Sequence, residues 1–324
     1  MSRFNDFGNA LYSGEKSFDI VGKRRIALIA SALLIILAVS ITSLRGGFNF
    51  GIEFKGGSEY RVTTVSTTAE STATAAVKAA LGATAQVNVT KVGTDGLRVQ
   101  TERLDANDSE RVRQALAAAF GVQGNQVASS FIGADWGSEI TGKAITGLLV
   151  FIALAALAMA LYFRTFKMSL AAVISLAHDL VITAAVYGAL GFEVTPAAVI
   201  GFLTILGYSL YDTVVVFDKI RENTHEVEHS TTATFRERVN LAINQTLVRS
   251  INTTVVAILP VASILFIGTL LLGAGTLRDI SLALFIGILV GTYSTIFIAS
   301  PLYSWLREKE PKFVAAAAKV NASR

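Results

Sequence analysis

Six long apolar stretches constrain this chain more than any other feature of its sequence. Crossing the roughly 30 Å hydrocarbon core of a bilayer takes about 20 apolar residues in a helix. Of the 324 residues, 52% are hydrophobic and 16% charged, whereas soluble domains carry about 25% charged residues. We name the stretches spans 1 to 6: Ile26–Leu44, Ile145–Phe163, Met168–Phe192, Val194–Phe217, Ser250–Thr276 and Ile280–Leu306. The sequence therefore predicts an α-helical membrane protein with six transmembrane helices.

The rest of the composition limits the kinds of site and partner that the chain can have. The chain has no cysteine, which excludes disulfides and thiolate metal sites. Its formal net charge is only +4, so we expect no nucleic-acid partner. The apolar content also excludes a disordered chain and argues against an ordinary soluble enzyme.

The basic residues indicate how the spans are oriented. They flank span 1, the connection between spans 2 and 3, and the end of span 6: Lys23, Arg24, Arg25, Arg164, Lys167, Arg307, Lys309 and Lys312. Cytoplasmic loops are enriched in Lys and Arg. We therefore expect cytoplasmic segments at 1–25 and 307–324, and an amphipathic cytoplasmic segment at 218–249.

The segment 45–143 lies outside the cytoplasm in this orientation and has the pattern of a soluble domain. Strands are predicted at 51–65, 86–92, 97–101 and 126–132, with helices at 69–81 and from Asn107 onward. The order βαββαβ is typical of a ferredoxin-like α+β domain. The segment contains no cluster of catalytic residue types, which favours a binding or moving part.

Polar residues inside the spans are the candidate functional residues, because an ionisable side chain at the bilayer centre costs about 2.5–3.5 kcal/mol. They recur at helical spacing in spans 3, 4 and 5: His178, Asp179, Tyr208, Ser209, Asp212, Thr213, Arg249, Asn252 and Thr253. A bundle that turns these faces inward would hold a carboxylate–histidine–arginine network. Such a network can relay protons or, alternatively, can fix helix packing as a static polar contact.

Three motifs offer enzymatic alternatives. The segment 137–144 matches a phosphate-binding loop except that Ala144 cannot ligate Mg²⁺. His225 and His229 form an H-E-x-x-H motif in a polar loop without a third histidine nearby. Tyr211-Asp212 suggests an intramembrane aspartyl protease, but the Gly-x-Gly-Asp element of those enzymes is absent. We therefore expect no cofactor, no metal site and no enzyme activity.

Four segments resemble signatures of the SecD/SecF family of bacterial protein-export membrane subunits, part of the resistance-nodulation-division superfamily. They are Gly51-Ile-Glu-Phe-Lys-Gly-Gly57, the stretch 206–223 (LGYSLYDTVVVFDKIREN), the stretch 244–254 (NQTLVRSINTT) and Ala177-His178-Asp179. The resemblance covers about residues 15–307. Within the first signature, Gly51, Gly56 and Gly57 match the family, and Glu53 replaces its usual aspartate.

The resemblance implies an auxiliary subunit of the Sec protein translocase in the bacterial cytoplasmic membrane. It implies that Asp212 and Arg249 form a proton-responsive pair, with Asp179 and His178 in the same relay. Its implied partners are SecD, the SecYEG channel and preproteins, with lipid around the spans, and its implied energy source is the proton-motive force. Two alternatives stay open: a stand-alone proton-coupled transporter of small molecules and an intramembrane protease.

Overall fold

The computed structural model describes residues 3–63, 69–93, 95–227, 232–268 and 275–323. Six helices within these ranges are long and apolar enough to cross a membrane, as predicted from the sequence. The six are Arg24–Leu44, Trp136–Phe163, Phe166–Leu190, Pro196–Thr224, Phe235–Gly268 and Thr276–Arg307. They correspond in order to spans 1 to 6.

The described elements are numbered in chain order. The helices are α1 (Arg3–Ser13), α2 (Arg24–Leu44), α3 (Ile52–Lys55), α4 (Glu70–Leu81), α5 (Ala106–Phe120), α6 (Ala134–Phe163), α7 (Phe166–Leu190), α8 (Pro196–Thr224), α9 (Phe235–Ala262), α10 (Gly275–Ser294), α11 (Ser300–Arg307) and α12 (Pro311–Ala322). The strands are β1 (Asn49–Phe50), β2 (Gly57–Val62), β3 (Val87–Val92), β4 (Gly96–Thr101), β5 (Val127–Ile132) and β6 (Glu193–Val194). A 3₁₀ turn covers Gly124–Gln126, and π-helical turns cover Ser263–Gly268 and Thr295–Ala299.

Several spans extend beyond the apolar stretches that predicted them. The helix of span 2 begins at Ala134, inside the segment 45–143. The helix of span 5 begins at Phe235, where Thr234 and Glu237 form a reciprocal capping box. The predicted segment 218–249 is therefore largely the end of α8 and the start of α9. Span 5 was predicted to reach residue 276; its described helix ends at Gly268, and 269–274 lie outside the described residues.

The α+β unit consists of β2 to β5 with α4 and α5. Its four strands lie in the order β3-β4-β2-β5, and each neighbouring pair is antiparallel. The two helices pack together on one side and close an apolar core. This core is formed by Tyr60, Val62, Ala73, Val77, Leu97, Val99, Val112, Leu116 and Val127.

The strand predicted over 51–65 is wrong at its start. Ile52–Lys55 forms the short helix α3, and β2 begins only at Gly57. Gly56 and Gly57 have φ angles of 77° and 154°, which favour glycine. A Cβ at Gly57 would lie 2.6 Å from the Thr101 carbonyl oxygen. The glycine pair therefore turns the chain sharply from α3 into the sheet.

The helix bundle packs most closely where span 4 meets span 6. Gly201 lies against Ala283, and Gly287 lies against Ile205 so tightly that a Cβ there would collide with the isoleucine side chain. Small residues let transmembrane helices approach in this way. The contacts at Gly201 and Gly287 therefore let spans 4 and 6 approach closely.

The two ends of the bundle are held differently. At one end, Arg24 before span 1 forms an ion pair with Glu308, and Lys167 between spans 2 and 3 pairs with Glu310. At the opposite end, β1 runs parallel to β6, with Asn49 opposite Glu193. This second contact ties the start of the α+β unit to the connection between spans 3 and 4.

Candidate functional site inside the helix bundle

A continuous line of polar contacts crosses the bundle from span 1 to span 4. The Ser31 hydroxyl lies 2.5 Å from His178 Nε2, and His178 Nδ1 lies 3.3 Å from Asp179 Oδ1. The other carboxylate oxygen of Asp179 accepts a hydrogen bond from Ser209 at 2.5 Å. Asp179 and Ser209 are both completely buried. Spans 3 and 4 therefore meet on one buried carboxylate, and His178 links it to span 1.

Asp212 lies one helical turn after Ser209 and is the second buried carboxylate. Its Oδ1 accepts a hydrogen bond from Ser250 of span 5 at 2.8 Å. Its Oδ2 is buried and has no hydrogen-bond partner among the described residues. An unsatisfied buried acceptor is costly in a low-dielectric interior. Protonation of Asp212 would turn this acceptor into a neutral hydroxyl.

Arg249 does not form an ion pair with Asp212 in this structure. The side chain of Arg249 is exposed on the bundle surface, although it lies within electrostatic range of the carboxylate. The direct donor to Asp212 is the next residue, Ser250, which points inward. The structure thus brings Asp179, His178, Ser209 and Asp212 into the bundle, with Arg249 at its edge.

The remaining predicted polar residues divide between the interior and the surface. Thr213 is buried and hydrogen-bonds Thr295 of span 6 at 3.0 Å. Tyr208 faces Thr254, which itself contacts Thr292 at 2.6 Å. Thr253, whose hydroxyl donates to the Arg249 carbonyl, is half-buried, and Asn252 beside it is exposed.

Exposed residues on the helices of spans 4 and 5 form a polar stripe on the bundle surface. We call it the span 4–5 stripe and define it by Thr204, Gly207, Tyr211, Arg249 and Asn252, all of which are exposed in this chain. An arginine exposed to hydrocarbon is strongly unfavourable. A stripe of this composition is therefore typical of a surface that another protein covers.

Sequence reasoning missed two residues of the buried line, Ser31 and Ser250. Ser31 interrupts an otherwise apolar stretch of span 1, and a polar residue at that depth is itself a signal. Ser250 follows Arg249 directly, and only the rotation of the helix decides which of the two faces inward. That rotation depends on tertiary packing and leaves no local trace in the sequence.

The enzymatic alternatives gain no support from the structure. Residues Gly137 to Lys143 lie inside helix α6, and Gly137 packs against the Phe54 carbonyl. They cannot form the open loop that a phosphate site requires. His225 follows directly after α8, whereas His229 lies outside the described residues, so the geometry of that motif is not described.

The signature residues of the first family motif lie at the junction of the two regions. Gly51 precedes α3, Glu53 lies within it, and Gly56 and Gly57 connect it to β2. The amide of Gly51 donates to the Val194 carbonyl at 2.9 Å, which extends the contact between β1 and β6. The motif therefore joins the α+β unit to the bundle and holds no ligand-binding loop.

Comparison with known proteins identifies the family. A family model described as protein export membrane protein SecD/SecF, C-terminal, matches residues 112–309, and the SecD/SecF GG motif matches residues 46–68. Protein translocase subunit SecF of Streptomyces coelicolor is 44% identical over 324 residues, which are 100% of this chain and 86% of that protein. The chain belongs to the SecD/SecF family.

A longer relative shows how a member of this family can be joined to further sequence. Protein translocase subunit SecDF of Thermus thermophilus is 33% identical over 88% of this chain and 38% of its own length. A crystal structure of SecDF from that organism, titled a translocon-associated membrane protein, matches with a TM-score of 0.76 at 30% identity. It covers 91% of this chain and 39% of that chain, so this family member spans about two fifths of SecDF.

The family assignment confirms the resemblance stated from the four signatures. It also confirms a multi-pass membrane protein of the Sec protein-export class, since relatives carry the name protein translocase subunit SecF. The family match does not assign roles to individual residues in the bundle.

Proposed function

We propose that this chain is an auxiliary subunit of the Sec translocase that uses the proton-motive force, together with SecD, to promote preprotein translocation. The observation that carries the proposal is a pair of buried carboxylates: Asp179 of span 3, which accepts from Ser209, and Asp212, one turn after Ser209 on span 4. Asp212 holds an oxygen without a hydrogen-bond partner among the described residues. A carboxylate in this setting is suited to gain and lose a proton.

The proton acts on the contact between spans 4 and 5. As an anion, Asp212 accepts the hydrogen bond from Ser250 and is attracted by the nearby charge of Arg249. As a neutral acid, Asp212 loses that attraction, and the two helices are free to shift. One charge that crosses 100 mV yields about 2.3 kcal/mol, which biases a modest conformational equilibrium when a few protons act per stroke.

The shift reaches the α+β unit through span 2. Helix α6 begins at Ala134, directly after β5, so the last strand of the unit continues into a membrane helix. Gly137 packs so closely on α3 that a Cβ at this position would collide with the Phe54 carbonyl oxygen. Residues 133–142 are therefore the mechanical link in this proposal, and no catalytic residue is assigned.

SecD is the proposed partner for the span 4–5 stripe. Two observations support it: the exposed arginine in the stripe, and the SecDF relative, whose name joins SecD with SecF in one protein. The covering protein must present polar or acidic groups at membrane depth to match Arg249. The SecYEG channel and preproteins are proposed as further partners of the assembled complex.

We assign the α+β unit to the outer side of the cytoplasmic membrane and describe it as a ferredoxin-like domain. The strand order and the two helices on one face support the fold description. The orientation is supported by the end of the bundle where Arg24, Lys167 and Arg307 gather, because basic residues concentrate on the cytoplasmic side. Both termini then face the cytoplasm.

Translocation into membrane vesicles tests this function. Asp212→Asn removes the titratable group with little change in shape, so we expect normal assembly but no stimulation by the proton-motive force. Asp218→Asn is the matched control, because Asp218 lies on the same helix and is exposed. Full uncoupler-sensitive stimulation in the Asp212→Asn protein at normal membrane levels would make Asp212 a packing residue.

A further inference from the structure

The junction between the α+β unit and the bundle is built from charged side chains. Arg98 of β4 donates to Glu193 of β6 and lies 3.5 Å from Glu59 of β2. Arg98 and Glu193 expose only 11% and 14% of their side chains. Their ion pair is therefore largely buried, and it joins the sheet to the segment between spans 3 and 4.

Two carboxylates approach the same point of the backbone within this junction. Glu53 Oε2 and Glu193 Oε1 are buried, and neither has a hydrogen-bond partner among the described residues. Both lie around the same point of the backbone: a Cβ at Gly51 would collide with Glu53 Oε2 and would lie 3.1 Å from Glu193 Oε1. Two carboxylates so placed repel one another when both are ionised.

The surrounding charges come from every element packed at the junction. They are Arg45 after span 1, Lys55 of α3, Glu59 and Arg61 of β2, Lys91 of β3, Arg98 of β4, and Arg278 and Asp279 of α10. Among the described residues, Arg98 is the cation that forms an ion pair with Glu193, and Glu53 forms none. Glu59 is paired with both Arg61 and Arg98, whereas Glu193 is paired with Arg98.

The environment raises the pKa of both glutamates. Burial raises the pKa of Glu53 above its ordinary value, and the charge of Glu193 raises it further. Burial also raises the pKa of Glu193, against the opposing effect of the Arg98 guanidinium. These directions follow from the geometry, because desolvation and a neighbouring carboxylate both penalise a negative charge.

We propose that Glu53 and Glu193 share a proton and form a pH-sensitive latch between the α+β unit and the bundle. With the proton bound, one carboxyl donates to the other, and Arg98 neutralises the remaining charge. Without the proton, the two carboxylates repel, and the junction that Gly51 and β6 hold together loosens. The proposal concerns this junction alone and does not depend on the role of Asp212.

The sign of the pH dependence follows from the raised pKa values. The closed junction binds the proton more tightly than the open junction, in which both glutamates are in water. The latch is therefore fully closed at low pH and is released as the pH rises through the raised pKa. In the proposed orientation, the latch faces the side of the membrane that the proton-motive force acidifies.

Spin-label distances in the full chain test the latch, and the absence of native cysteines permits specific labelling. Labels at Lys78→Cys in α4 and Thr276→Cys in span 6 report across the junction from two exposed positions. In nanodiscs we expect a narrow distance distribution at the acidic end of a pH series and a broader, longer one at its alkaline end, with the change above the ordinary carboxyl pKa of about 4.3.

Two variants should shift this response in opposite directions. Glu53→Gln should give the narrow distribution at both ends of the pH series, because an amide donates to Glu193 without needing a proton. Gly51→Ala should give the broad distribution at both, because its Cβ displaces the Glu53 carboxyl. Glu102→Gln is the control, since Glu102 is exposed and should keep the response of the parent chain.

The latch is overturned if the parent distribution does not change with pH, or if Glu53→Gln and Gly51→Ala both keep the parent response. These outcomes are separable from a failure of the proposed function. The distance measurement needs neither translocation nor Asp212, and the vesicle assay with Asp212→Asn does not report on the junction.

Discussion

The α+β unit closes on an apolar core, whereas the helix bundle buries carboxylates alongside its apolar residues. The unit closes around Tyr60, Val99 and Leu116, and its charged residues lie mainly at its surface and at the junction. The bundle turns many apolar side chains outward and also buries an apolar cluster that includes Phe163 and Phe217. It buries Asp179 and Asp212 beside serine hydroxyls. In water the apolar core supplies the driving force for folding, whereas in lipid the outer surface is as apolar as the solvent.

This difference teaches where function lies in each region. A buried apolar cluster in the unit needs no explanation beyond stability. Buried carboxylates in the bundle cost stability, so they indicate a functional role beyond helix packing. The junction follows the second rule although it lies outside the spans, because it too buries carboxylate oxygens that have no hydrogen-bond partner among the described residues.

The largest expected effect on stability lies in the core of the α+β unit. Leu116→Ala removes a completely buried side chain and leaves a cavity, so the unit should lose about 2–5 kcal/mol. Hydrogen exchange of the β2 and β4 amides measures this loss in the full chain. Gln114→Ala, at an exposed position of the same helix, should change the exchange by far less. Equal effects of the two variants would contradict an independent apolar core.

The buried polar line in the bundle should give a smaller loss. Ser209→Ala removes the hydrogen bond to Asp179 and should cost about 1.5–3 kcal/mol, as expected for a bond to a charged group. Thermal unfolding in detergent measures the change, and Ser40→Ala at an exposed position of span 1 is the control. No difference between the two variants would mean that the contact contributes nothing to the fold.

The smallest of these effects distinguishes the observed start of α5 from the predicted one. Asp105 caps the helix by accepting from the Asp108 amide at 2.7 Å. Asp105→Ala should therefore cost about 1 kcal/mol. Asn107→Ala changes a residue within the first turn and should cost clearly less, by the same hydrogen-exchange measurement. The reverse ranking would contradict the cap seen in the structure.

The sequence predicted the bundle well because long apolar stretches are governed by the bilayer alone. Asp179 and Asp212 were found for the same reason, since an acidic residue in such a stretch is conspicuous. The start of α5 was missed because neighbouring residues such as Asp105 and Asn107 compete as caps on nearly equal terms. The short helix α3 was also missed.

The long-range contacts could not be predicted from local patterns. Glu53 and Glu193 are 140 residues apart in the sequence, and only the folded junction brings them together. The same holds for Ser31 and His178, which belong to spans 1 and 3. Contacts of this kind depend on helix rotation and packing angles, for which a single sequence carries no direct signal.

Proton entry into sealed vesicles tests the central claim that the polar interior of the bundle works as a relay. Vesicles would contain this chain with SecD and a pH-sensitive dye, and an imposed pH gradient would drive the flux. We predict that Asp212→Asn removes the proton flux that depends on the protein, while Asp218→Asn leaves it unchanged. An unchanged flux in the Asp212→Asn protein, with normal stability and normal SecD binding, would contradict the claim.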